Sequence, residues 1–136
     1  MKHTIIAVLT VVCLASCSSS ADRPDIIPAP KEVEVSSGEF VFGRTVKIAY
    51  TSEDLAPSAQ YLACDLETVA GCKTELSPVW RNDDIMLSLS DDNAPEGSYL
   101  LEITSKEIRI TGNGYSGVVN GIASLRQLVY GASLNS

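Results

Sequence analysis

Three glycines in the stretch "RITGNGYSGVVNGIASLRQLV", residues 109–129, fall at the G-x-G-x-x-G spacing: Gly112, Gly114 and Gly117. Such a loop can cradle a pyrophosphate at a helix N-terminus. That chemistry also requires a parallel strand–helix–strand unit and an acidic residue ~20 positions further on to hold a ribose hydroxyl. Here Glu107 is the last acidic residue, and no strand-like run follows the helix. The spacing is therefore read structurally, and no nucleotide cofactor is expected. Gly112 and Gly114 are expected to turn the chain at positive φ. Gly117 and Gly121 should let a helix backbone approach a sheet closely, at a cost of roughly 1 kcal/mol each in helix propensity.

Two carboxylate pairs, Asp83-Asp84 and Asp91-Asp92, are the other candidates for chemistry. Both sit in polar turns. A general acid needs burial or a like-charged neighbour to raise its pKa, so neither pair is expected to be catalytic. Trp80 is a tentative glycan contact, since an aromatic face suits a sugar, although a lone tryptophan more often packs. Tyr115 is expected as an anchor over the sheet end. The single histidine, His3, lies in the leader, so a metal site has too few ligands and none is expected. Cys64 falls within a predicted helix and Cys72 just past its end. About 12 Å of helical rise would separate them, against the ~7 Å a disulfide tolerates, so two separate thiols are expected.

The front of the chain has the order of an export signal. Lys2 and His3 precede an apolar run from Ile5 to Val12, too short for the ~20 residues of a membrane span. The run ends in Leu14-Ala15-Ser16-Cys17, which resembles the lipobox of bacterial lipoproteins. That implies cleavage after residue 16 and acylation of Cys17, with two or more chains holding the protein stably on a membrane. Ser18 stands where aspartate is associated with inner-membrane retention, which points to the outer membrane of a bacterial envelope. Residues 17–25 read as a polar tether. The net charge is −7, and removal of Lys2 takes it to −8. No basic cluster offers a surface to nucleic acid.

The remainder is long enough for one core. Val33 and Val35 alternate with glutamates, Ser36-Ser37-Gly38 turns the chain, and Phe40 and Phe42 alternate in turn, predicting a hairpin. Arg44 to Tyr50 gives a third strand. From Asp54 to Ala70 the apolar residues Leu55, Ala59, Leu62, Leu66 and Val69 recur at helical spacing, with Pro57 allowed in the first turn and Gly71 as a left-handed stop. "DIMLSLS" is a buried strand, "SYLLEIT" and "EIRIT" form a hairpin about Ser105-Lys106, and a last helix spans about Ser116 to Tyr130. Its stripe is Val118, Ile122, Leu125 and Val129, joined by Val119 and Leu128. The pattern predicts an α+β two-layer sandwich, a mostly antiparallel sheet with two helices packed on one face.

Three pieces in this order resemble the accessory domain that precedes the barrel in family 20 β-N-acetylhexosaminidases. They are "IIPAPKEVEVSSGEFVF", "AQYLACDLETVAG" and "EGSYLLEITSKEIRITGNGYSGVVNGIASLRQLV", the last carrying Gly117, Gly121, Ser124, Leu125, Gln127 and Leu128 in the family's helix pattern. The resemblance covers 26–131 and implies a zincin-like fold, with 132–136 as the start of a linker to a TIM barrel. Related domains precede barrels in α-glucuronidases and family 84 enzymes. In family 20 the substrate's acetamido oxygen attacks the anomeric carbon, and an adjacent Asp-Glu pair in the barrel orients it and donates the proton, unlike the two-carboxylate scheme. This chain has no Asp-Glu dipeptide. No catalytic residue carries over, and the domain is expected to brace a barrel through an exposed apolar patch. A free-standing glycan-binding lipoprotein is the alternative expectation.

Overall fold

The computed structural model describes residues 31, 32, 34, 39–79 and 84–134, the last three by backbone alone. Cys17, the tether, all of the predicted 33–38 strand and turn except residue 34, Trp80 and Asp83 lie outside the described residues. The chain divides into two units, Met1–Ser36 and Ser37–Ser136, and the architecture below is that of the second.

Strand β1, Thr45–Tyr50, buries Val46 and Ile48 and turns Lys47 to the opposite side. A single 3-10 turn, Glu53–Leu55, leads into helix α1, Ala56–Val69. Pro57 falls in its first turn, where its missing N–H costs nothing. Leu55, Ala59, Leu62, Ala63 and Leu66 form the buried stripe. Gly71, at φ +66°, stops the helix as its position predicts. Strand β2, Lys73–Ser77, then returns alongside β1. Strand β3, Ile85–Leu89, follows, then the hairpin of β4, Tyr99–Ile103, and β5, Ile108–Gly112, and finally helix α2, Gly114–Leu134. Thr104 closes the hairpin by accepting the Glu107 N–H on its hydroxyl and donating to the Glu107 carbonyl, both at 3.1 Å.

The sheet runs β2-β1-β3-β5-β4. Here the expectation of a mostly antiparallel sheet is corrected: the sheet is mixed. β1 is parallel to both β2 and β3, β3 is parallel to β5, and only β4 and β5 pair antiparallel. The reason is visible in burial. Parallel strands usually read as continuous apolar runs because both faces are covered. In this sheet the helices cover one face, so the strands alternate as antiparallel ones do. Helix α1 supplies the crossover from β1 to β2. From β2 to β3 no helix is needed, because Ala49 pairs with Ser77 at the end of β2 while Ile48 already pairs with Ile85 at the start of β3. The stagger lets seven residues make a parallel connection.

A second correction concerns Phe40 and Phe42. They alternate inward against the core, with ring centroids 5.2 Å apart in an edge contact, but residues 39–43 make no ladder among the described residues. Both helices pack on one face, as expected: α1 over β1 and β2, α2 over β3, β4 and β5, with the helices touching each other. Val46, Ile48, Ile85, Leu87, Ile108 and Ile110 meet Leu62, Leu66, Val118, Ile122 and Leu125 in one core. The other face carries Lys47, Met86, Ser88, Glu102, Arg109 and Thr111 by strand alternation. It is stitched by Ser88–Thr111 at 3.2 Å and by the Arg109–Glu107 ion pair at 2.9 Å.

Candidate functional site

Two regions merit reading as sites: the glycine corner between β5 and α2, and the seam between the helices. At the corner, only Gly114 has a positive φ, +72°. The expectation that Gly112 turns the chain in the same way is corrected. Gly112 is still in the ladder, opposite Leu89 and Tyr99. It must be glycine because a Cβ there would lie 2.2 Å from the Val118 nitrogen and 2.5 Å from the Gly117 carbonyl carbon. A Cβ on Gly117 would lie 2.3 Å from the Ser98 carbonyl oxygen, and one on Gly121 would lie 2.4 Å from Ile110 Cγ2. The close approach expected of Gly117 and Gly121 is thus observed, and Gly112 belongs with them.

Asn113 and Asn120 spend their polar groups on the chain itself. The Asn113 amide donates to the carbonyl of Asp92 at 3.0 Å and to that of Ala94. The Asn113 N–H donates to the Ser98 carbonyl, and the Asn113 carbonyl accepts from Gly97. The Asn120 amide holds the Gly97 carbonyl at 2.9 Å. Behind them the Tyr99 hydroxyl meets the hydroxyl of Ser124, a buried polar residue in α2. Glu96 lies against Gly114 at the start of α2, where a phosphate would have to sit. A carboxylate there opposes an anion, so the corner is built for packing rather than for a phosphate.

The carboxylate candidates separate. Asp84 serves the sheet: its Oδ2 accepts the Lys47 N–H at 2.9 Å, its own N–H donates to the Lys47 carbonyl, and its carbonyl accepts the Ile108 N–H. Asp91 and Asp92 are exposed in the loop after β3. Tyr115, expected over the sheet end, is instead 49 % exposed, and the nearby Asp54 before α1 pushes its phenol pKa up. Cys64 is exposed and Cys72 buried, both free. Burial pushes the Cys72 thiol up, with a smaller push from Glu67. Among the described residues no three His, Cys, Asp or Glu side chains converge as for a metal ion, and no helix is long and apolar enough to cross a membrane.

The seam is the region the sequence did not single out. Arg126 of α2 points its Nε at Asp65 Oδ2 of α1, 3.1 Å away, at an angle that makes the contact ionic rather than a hydrogen bond. Its Nη1 donates to the Tyr61 hydroxyl at 2.9 Å, and its guanidinium lies 5.4 Å from the centre of the Tyr130 ring. Tyr130 foremost, then Asp65, push the Arg126 pKa up. The groove alongside is lined by Leu62, Leu66, Val69, Leu125 and Val129 and has room for about one water molecule, too little to bury a small ligand. Tyr115, Val119, Arg126 and Tyr130 fall on one stripe of α2 by helical spacing. Tyr61, Tyr115, Val119 and Tyr130 are all more than a third exposed. The sequence signal was two i,i+4 pairs, Tyr61/Asp65 and Arg126/Tyr130, but only the fold brings them together.

Comparison with known proteins places this arrangement. Residues 23–135 match the family profile described as glycosyl hydrolase family 20, domain 2. A β-hexosaminidase of Vibrio furnissii is 27% identical over 143 residues, covering 95% of this chain and 21% of that protein. A mutant Streptomyces plicatus β-hexosaminidase in complex with its product GlcNAc superposes with a TM-score of 0.70 at 25% identity, over 76% of this chain and 21% of that one. The exo β-N-acetylglucosaminidase of Vibrio harveyi superposes at 0.66 with 23% identity, over 76% and 16%. The chain spans about a fifth of the length of the relatives it matches. Profile and fold agree: the chain belongs to glycosyl hydrolase family 20, of which it carries the accessory domain.

Proposed function

We propose that this chain is the non-catalytic accessory domain of an exported, lipid-anchored β-N-acetylhexosaminidase, and that it braces a TIM-barrel catalytic domain. The observation that carries the reading is the family match over 23–135 in a chain that spans about a fifth of its relatives. The seam supports the choice of docking face. Interfaces favour aromatic residues and arginine at their centres, and Tyr61, Arg126 and Tyr130 stand together on the outside of the helix layer. Among the described residues the opposite sheet face is more charged, with Lys47, Glu75, Glu102 and Arg109 around an exposed Leu100. The lipid anchor rests on Leu14-Ala15-Ser16-Cys17 alone, and the bacterial outer membrane on Ser18 after it.

The test is to extend the reading frame beyond Ser136 and to assay both products. The reading expects a barrel with an adjacent Asp and Glu, hydrolysis of a chromogenic N-acetylglucosaminide by the extended chain, and none by the 136 residues alone. Turnover by the short chain would overturn it. Fatty-acid labelling that persists in Cys17→Ala would overturn the anchor. A glycan pull-down lost in Trp80→Ala would favour the free-standing glycan binder instead.

A further inference from the structure

The outer edge of β2 is open among the described residues, and one side chain stands on it. Lys73 spends its N–H on the carbonyl of Arg44, the residue before β1, at 2.8 Å. Alternation along a strand then turns the N–H and carbonyl of Thr74 outward. The Thr74 N–H does not face solvent: Glu67, from the last turn of α1, accepts it on Oε1 at 3.2 Å and also accepts the Thr74 hydroxyl at 2.6 Å. An exposed strand edge is a template for pairing with another chain, and natural sheets place charged side chains on such edges.

The edge is self-complementary. Laid antiparallel to a second copy about Thr74, each Thr74 would exchange its N–H and carbonyl with its counterpart, as in a hydrogen-bonded pair. Lys73 would face Glu75 of the other copy and Glu75 would face its Lys73, both on the open face of the sheet, and opposite charges in directly opposed positions stabilise. Leu76 sits on the helix-side face of β2 yet is 37 % exposed, and a neighbouring strand would cover it. A two-fold pair of this kind is isologous and closes.

We propose that Glu67 is a gate on the β2 edge. While its carboxylate holds Thr74 the chain stays single. Without it the edge adds the same edge of a second copy, in antiparallel register about Thr74. Each copy must release one charge-assisted hydrogen bond to pair, so removing both carboxylates should tighten self-association by roughly a hundredfold. The test is sedimentation velocity of the 136-residue chain and its variants in one buffer over a range of concentrations. Glu67→Ala should move the chain from monomer to dimer, and the helix is kept because alanine is a better helix former at this exposed site. Glu67→Gln, of equal length, should fall between the two. In the Glu67→Ala background, Lys73→Glu places like charges opposite each other and should restore the monomer. Adding Glu75→Lys should bring the dimer back. A Glu67→Ala chain that stays monomeric, or a dimer indifferent to Lys73→Glu, would overturn the proposal.

Discussion

The two ends of α2 use the same residue types to opposite purposes. At the N-terminal end Gly117 and Gly121 press the helix onto β4 and β5, and Gly112 answers from the strand side. Each would place a Cβ within 2.5 Å of an atom already there. At the C-terminal end Gly131 faces nothing within 4 Å among the described residues, and Arg126 and Tyr130 meet α1 at the surface. At one end the helix backbone itself lies against the strands, and at the other side chains make the contact. Glycine spacing thus records how near two backbones lie, and it resembles a phosphate loop only because that loop also needs a close approach.

Substitutions should separate the two ends. The largest effect is expected for Gly112→Ala, because the atoms it meets, Val118 N and the Gly117 carbonyl carbon, are backbone and cannot swing aside. A loss of about 3 kcal/mol in urea unfolding is expected, the upper part of the overpacking range. Gly121→Ala meets the end of Ile110 and the ring of Tyr99, which can shift, so about 2 kcal/mol is expected. Tyr99→Phe should cost about 1 kcal/mol by leaving the buried Ser124 hydroxyl without its partner. At the other end, Tyr61→Ala with Tyr130→Ala removes two half-buried rings around Arg126 and should cost this chain about 1 kcal/mol. The same pair should lower the unfolding midpoint of the extended enzyme, if the seam is where the barrel docks.

The smallest effect concerns pH. The folded Cys72 thiol titrates above its ordinary value of 9.0, chiefly because it is buried. Below 9.0 the thiol is neutral in both states and its contribution is fully present. As pH rises past that value the unfolded thiol ionises first, and stability falls until the folded thiol ionises too. Urea midpoints measured across this interval should decline in the parent chain and flatten in Cys72→Ala. A residual decline at still higher pH is expected from Tyr115, whose pKa Asp54 also raises.

Local signals carried much of this fold. Pro57 and Gly71 bracket α1, Thr104 to Glu107 closes the β4–β5 hairpin, and the Val118, Ile122, Leu125 stripe marks the buried side of α2. What failed was information that resides between elements. Strand direction was misread because a sheet covered on one face alternates whatever its pairing. The edge strand "KTELS" has too little burial to announce itself. Gly112 looked like a turn residue because its constraint comes from Val118, which only the fold brings close. Arg126 and Tyr61 lie 65 residues apart in sequence, and no spacing rule reaches that far.

The most direct test makes the same substitution twice in one helix. Gly117→Ala and Gly131→Ala are each compared with the parent chain by equilibrium urea unfolding. The account predicts opposite signs: a loss of about 3 kcal/mol at Gly117, where the new methyl meets the Ser98 carbonyl, and a gain of about 0.5–1 kcal/mol at Gly131, where it meets none of the described residues. Equal effects at the two positions, or a Gly117→Ala chain as stable as the parent, would contradict the claim that the glycine corner is a packing device.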